Sequence, residues 1–227
     1  MPEMDTAEKR FSWLLKQRGY QFWTEDQLEQ NIVVKGTRPD FYVETPVGNV
    51  LAEVESFVEP GPIERRNFSM GAVDPKEFAD RIRGLVKHAA KQLSPYEDLG
   101  IPCLVILDNW RGIRIPLDYG FLIQIFGNLE LQGVYDSESG SISPLKFHHG
   151  GDRRLTEVQH TYISAVAVNF AKASYIDDDM RTERPMWLRI LHNPFAQCPM
   201  PVEIFNDEKD EHGFYDREKG HWTYPKD

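Results

Sequence analysis

Ile101 to Leu107 (IPCLVIL) runs for seven residues without a charged or hydrogen-bonding side chain of any size. A stretch this short, rich in β-type residues and apolar on both alternating faces, belongs in a sheet covered on each side, as a parallel strand is after a crossover helix. The crossover helix is written just upstream. Asp74-Pro75 makes a helix start, because Asp caps well and Pro is pre-set for the first turn. Phe78, Ile82, Leu85, Ala89 and Leu93 then fall in one narrow arc, and the pattern ends before Pro95. This helix packs one face on a sheet, and the strand that feeds it must lie parallel to Ile101–Leu107.

That strand comes from Asn31 to Val58, which reads as strand, turn, strand, hairpin, strand. Pro39 separates the first strand from the second, and Pro46 to Asn49 holds the short turn before the third. Ahead of this meander, Thr6 to Arg18 carries Ala7, Phe11, Leu14 and Leu15 at helical spacing, with a capping-box-like start at Asp5/Thr6 and Gly19 as a stop. A loop containing Thr24 to Gln30 joins the two. The first half is therefore αβββαβ, an α/β chain with a mixed sheet. The second half is less regular: a helix around Leu117 to Phe126, a Gly/Ser-rich loop from Asp136 to Ser143, and strands at Tyr162 to Phe170 and Trp187 to His192. With 41% of 227 residues apolar, there is material for one sizeable core. The expected organisation is a single domain over residues 1–202, with its core at about 6–108 and an extension at about 109–202, followed by an acidic polar tail at 203–227.

Several function classes find no support. There is no apolar run of membrane-spanning length and no apolar signal-peptide core near the N-terminus. Cys103 and Cys198 make neither a disulfide framework nor a CxxC zinc site, so a cytoplasmic setting is expected. P-loop, GxGxxG and GxSxG patterns are missing. His148-His149 with Asp152, His160 and His192 lack zinc-ligand spacing, and Cys103 and Ser164 read as strand residues. The net charge of −10 argues against coating nucleic acid by bulk electrostatics. Charge is uneven, however. From Gly61 to Leu93 there are seven bases and four acids, and from Glu203 to Asp227 eight acids and four bases.

Three carboxylates stand out by position. Asp40 follows Pro39 at the start of the second strand, and Glu53 and Glu55 lie two apart in the third, which puts both on one face while Val50, Ala52 and Val54 point to the other. Oxygen ligands converging in this way suit a hard divalent cation, whereas an isolated ExE on a strand is ordinarily a solvated face. On the basic helix, Lys87 and Lys91 stand opposite the apolar stripe, while His88 and Gln92 border it and lie closer to the sheet.

A helix bearing Glu8, then RPDF, a turn, AEVESF, a basic helix and a buried strand resembles the PD-(D/E)xK nuclease superfamily with its restriction-endonuclease-like core, over Thr6 to Asp108. The resemblance implies that Asp40 and Glu53, with Glu55, bind Mg2+ or Mn2+ and that the activity is phosphodiester hydrolysis. Glu55 stands where the motif has its lysine. Gln92 and then His88 are the candidates to supply catalytic help from the helix, and Glu8 occupies the place of a supporting acid. Arg65, Arg66, Arg81, Arg83, Lys87 and Lys91 would track the phosphate backbone. Nucleic acid is the expected partner, DNA ahead of RNA, and the extension would thicken the sheet or make a homodimer surface. The rival expectation is a nuclease fold without catalysis that binds nucleic acid or a protein, a reading the missing lysine favours.

Overall fold

The computed structural model describes residues 5–28, 38–56, 75–109, 123–127, 129–132, 137–138, 140, 146–149, 154–171, 186–216 and 221–223. Helix α1 (Thr6–Gln17) begins at a reciprocal capping box: Glu8 N–H donates to Asp5 Oδ1 at 2.8 Å, and Asp5 N–H donates to Glu8 Oε2 at 3.0 Å. It ends at Gly19, whose φ of +70° is the left-handed conformation that terminates helices cheaply only in glycine. Strand β1 (Gln21–Thr24) follows, and then the single turn α2 (Glu25–Leu28). Strand β2 (Phe41–Thr45) turns through Pro46-Val47 into β3 (Gly48–Ser56). Helix α3 (Pro75–Leu93) then crosses over to β4 (Cys103–Asn109).

The order of the first strands is as expected, with one correction. The meander's first strand is Gln21–Thr24, pairing antiparallel with β2 from Gln21↔Glu44 to Thr24↔Phe41, where the sequence reads as the approach to a loop. The first strand expected from Asn31, ahead of Pro39, falls on residues outside the described ones, as does the expected cap Asp74. Four residues are too few for alternation to show, and it is tertiary contact that gives β1 its place: the Phe22 ring meets Phe41 at 5.8 Å. β3 and β4 are parallel from Leu51↔Cys103 to Ser56↔Asp108.

Strands β5 (Leu129–Gln132) and β6 (Lys146–His149) form a separate two-stranded sheet. Of the helix expected at Leu117 to Phe126, Ile123–Phe126 is a 3₁₀ turn and the rest lies outside the described residues. β7 (Ile163–Ala171) and β8 (Met186–His192) match the two strands read in this half. β9 (Glu211–Asp216) and β10 (His221–Thr223) complete an eight-stranded mixed sheet in the order β1-β2-β3-β4-β7-β8-β9-β10. The stretch expected to be a polar tail is thus corrected: it carries two strands, with Ile204 and Phe205 fully buried. One acid anchors it to two distant elements. Asp210 is buried, receives two hydrogen bonds from Arg18 at 2.6 and 2.8 Å, and accepts from the Leu188 N–H at 2.7 Å.

Period-2 alternation divides the core in two. Leu51, Val105, Leu107, Val166 and Val168 pack under Ile82, Val86, Ala89, Ala90 and Leu93 of α3, while Ala52, Val54, Leu104, Ile106 and Ala167 pack with Phe11, Leu14 and Leu15 of α1. β4 is buried on both faces, as its composition requires. No helix among the described residues is long and apolar enough to cross a membrane.

Candidate functional site

Asp40 and Glu53 meet where β2 begins. The β2–β3 register, from Phe41↔Ala52 to Thr45↔Gly48, sets the residue before Phe41 opposite the residue after Ala52. The backbone then holds both carboxylates: the Val54 N–H donates to Asp40 Oδ2 at 2.7 Å, and the Asp40 N–H donates to the Glu53 carboxylate. Glu53 lies on the face covered by α3 and is 5% exposed, and its Oε2 has no hydrogen-bond partner among the described residues.

Burial, followed by the neighbouring Asp40 and Glu55 charges, pushes the Glu53 carboxyl up to about 9. Burial does the same to Asp40, up to about 7, against the opposing effect of the Val54 bond and with help from the Glu8 and Glu25 charges. Among the described residues no positive charge stands among the leading influences on either acid. In water these groups ionise near pH 4. Here one proton or one cation is needed before both can sit comfortably at neutral pH.

Glu55, one step along the same face, bonds to the helix above it. Its Oε1 is 2.5 Å from His88 Nδ1 on α3, an ion pair when the ring is protonated, with the His88 side chain 63% exposed. Burial raises the Glu55 carboxyl, and the His88 bond and charge hold it down. Among the described residues no three acidic, His or Cys side chains converge closely enough to hold a metal. A crossover helix runs antiparallel to its strands, and one helical turn past His88 advances about 6 Å, which places Gln92 over the level of Glu53. Gln92 is half-buried there.

The other expected site residues separate clearly. Lys87 and Lys91 are exposed and Arg81 is half-buried. Arg83 is corrected: it is 1% exposed on the inner side of α3, bonded to Asp80 at 2.7 Å, and its head group is not open to a phosphate. Its position one residue from Ile82 explains this, since a long side chain there lays its stem along the core. Arg65 and Arg66 lie outside the described residues. Glu8 is committed to the α1 cap, although burial and the Asp5 charge raise its carboxyl.

Sequence reasoning missed Glu25, whose N–H donates to the Asp40 carbonyl at 3.0 Å. The signal was present in Thr24-Glu25-Asp26-Gln27: the Gln27 side chain accepts from the Thr24 N–H at 3.0 Å, half of a capping box that starts α2 beside the acids. Tyr96 was also missed. It is buried after α3, and its hydroxyl feels the Arg38, Glu53 and Glu25 charges.

No protein-family model and no curated protein matches the chain. Among solved structures it is similar to the crystal structure of an XisH family protein from Nostoc punctiforme, at 14% identity over 62% of this chain and 98% of that one, with a TM-score of 0.25. Similarity at that level assigns no family.

Proposed function

We propose that this protein is a metal-dependent nuclease on a restriction-endonuclease-like core, acting on phosphodiester bonds at Asp40 and Glu53. The observation that carries the reading is a buried and a half-buried acid held side by side by backbone bonds, with Glu53 Oε2 unpartnered and no base among the leading influences on either, among the described residues. Burying like charges side by side costs stability unless something positive completes the set.

Two carboxylates fit Mg2+ or Mn2+, which take one or two protein acids and leave the remaining positions to water and substrate phosphate. Such an ion would lower the pKa of a bound water and polarise the scissile phosphate. The rest falls to the chain itself. Asp40 and Glu53 present oxygens fixed by the Val54 and Asp40 amides. Glu55, oriented through Oε1 by His88, stands in place of the motif lysine, and this pair takes the proton given up by the attacking water. Gln92 donates to a phosphate oxygen from above Glu53, and Lys87 and Lys91 follow the backbone on the exposed side of α3.

The test is cleavage of labelled single- and double-stranded DNA and RNA with Mg2+ or Mn2+ by the wild type, Asp40→Asn and Glu53→Gln. Cleavage by the wild type alone is expected. Binding without cleavage by the wild type would sink the enzymatic reading in favour of a nuclease-fold binding module, which the engagement of Glu55 with His88 would then explain.

A further inference from the structure

We propose that Trp23 and Tyr42 form a stacking platform for a nucleobase of single-stranded nucleic acid, next to the Asp40–Glu53 site. This rests on the reading of that site as a phosphodiester centre and adds the kind of strand it takes. The two residues are cross-strand partners on β1 and β2, with ring centroids 5.6 Å apart and planes tilted by 55°. Both are half-buried, so each keeps aromatic surface open.

A cross-strand aromatic pair often does no more than hold two strands together. Three placements go further here. Tyr42 is the partner of Leu51, which puts the pair on the α3 face, the one that carries Glu53; the packing aromatics Phe11, Phe22 and Phe41 gather on the α1 face. Tyr42 lies two residues from Asp40 and Trp23 two residues from Glu25, about 7 Å along each strand, within reach of the base of a nucleotide whose phosphate lies at the acids. β1 is the edge strand among the described residues, which leaves the platform's outer side unflanked by a further described strand.

An unpaired base can offer its π-face to such a platform, whereas a paired base in an intact duplex is already stacked on its neighbours. Two measurements test the proposal. Fluorescence anisotropy of the full chain with a labelled single-stranded oligonucleotide, without divalent metal, should show a loss of about 5- to 150-fold in affinity for Trp23→Ala, most of it restored in Trp23→Phe, while affinity for the matching duplex stays within about twofold. With the wild type alone, an oligomer of the same length and charge that lacks bases should bind weaker by a similar factor. Equal binding of the base-free oligomer, or unchanged single-strand binding by Trp23→Ala in a chain that still cleaves, overturns the platform and leaves the site reading standing. A wild type that neither binds nor cleaves any oligonucleotide overturns both.

Discussion

Glu53 and Asp108 are buried acids on neighbouring strands, and the chain treats them in opposite ways. Asp108, at the end of β4 on the α1 face, is fully buried and receives Arg10 Nε at 2.9 and 3.1 Å, Arg10 Nη2, and Asn169 Nδ2 at 3.1 Å. Burial raises its carboxyl, and the Arg10 bond and charge hold it down. Asp210 likewise receives two hydrogen bonds from an arginine, Arg18. Glu53, on the α3 face, receives one amide and the company of another acid. Among the described residues an arginine is thus bonded to each of Asp108 and Asp210, while the leading influences on the Asp40–Glu53 pair are burial and other acids, a contrast that fits the proposed cation site.

The sharpest way to break this comparison is to remove the arginine where it is supplied. Arg10→Met leaves Asp108 buried without its base and should cost about 3–5 kcal/mol of unfolding free energy in urea titration. A loss under about 1 kcal/mol would mean that Asp108 needs no partner, and the contrast with Glu53 would lose its force. The reverse substitution should have the reverse sign: Glu53→Gln avoids the cost of protonating a buried carboxyl at neutral pH and should raise the melting temperature of metal-free protein by a few degrees, while abolishing any rise that Mn2+ gives the wild type. A fall in melting temperature would class Glu53 with Asp108 as a structural acid.

The same contrast appears in pH. Glu53 and Asp40 have folded pKa values raised to about 9 and about 7, so they bind more protons folded than unfolded. Their contribution to stability is full below about pH 4 and is lost as pH rises through 7 to 9. Metal-free wild type should therefore lose stability relative to Asp40→Asn/Glu53→Gln between pH 5 and 9, by chemical denaturation at each pH; parallel curves would remove the shared-burial argument. The smallest effect belongs to the solvent side of α3. Lys91→Ala should leave stability within about 0.5 kcal/mol and reduce the salt slope of nucleic-acid binding by about one phosphate contact, and an unaltered slope would take Lys91 off the backbone path.

What could be read from the chain follows the range of the interactions that decide it. The crossover α3–β4 unit was legible because a seven-residue apolar run and a helical stripe are local patterns. The face shared by Glu53 and Glu55 followed from period 2. Their burial did not, since a glutamate between aliphatic residues looks the same on a wet strand as on one roofed by a helix, and it is α3 that makes the difference. The destination of the Glu55 carboxylate depended on His88, 33 residues away. Asp210 sits in a run of acids whose count suggests a solvated tail, and nothing local distinguishes the one that meets Arg18, 192 residues upstream.

That last contact also governs when the fold can be finished. Arg18 is made 192 residues before its carboxylate, so during synthesis α1 waits for this partner until Asp210 has left the ribosome. At about 5–20 residues per second this interval is roughly ten seconds or more. Closing a contact across such a separation is slow by nature, and a nascent chain cut short before Asp210 would hold a sheet ending at β8 with the amide of Leu188 lacking its carboxylate.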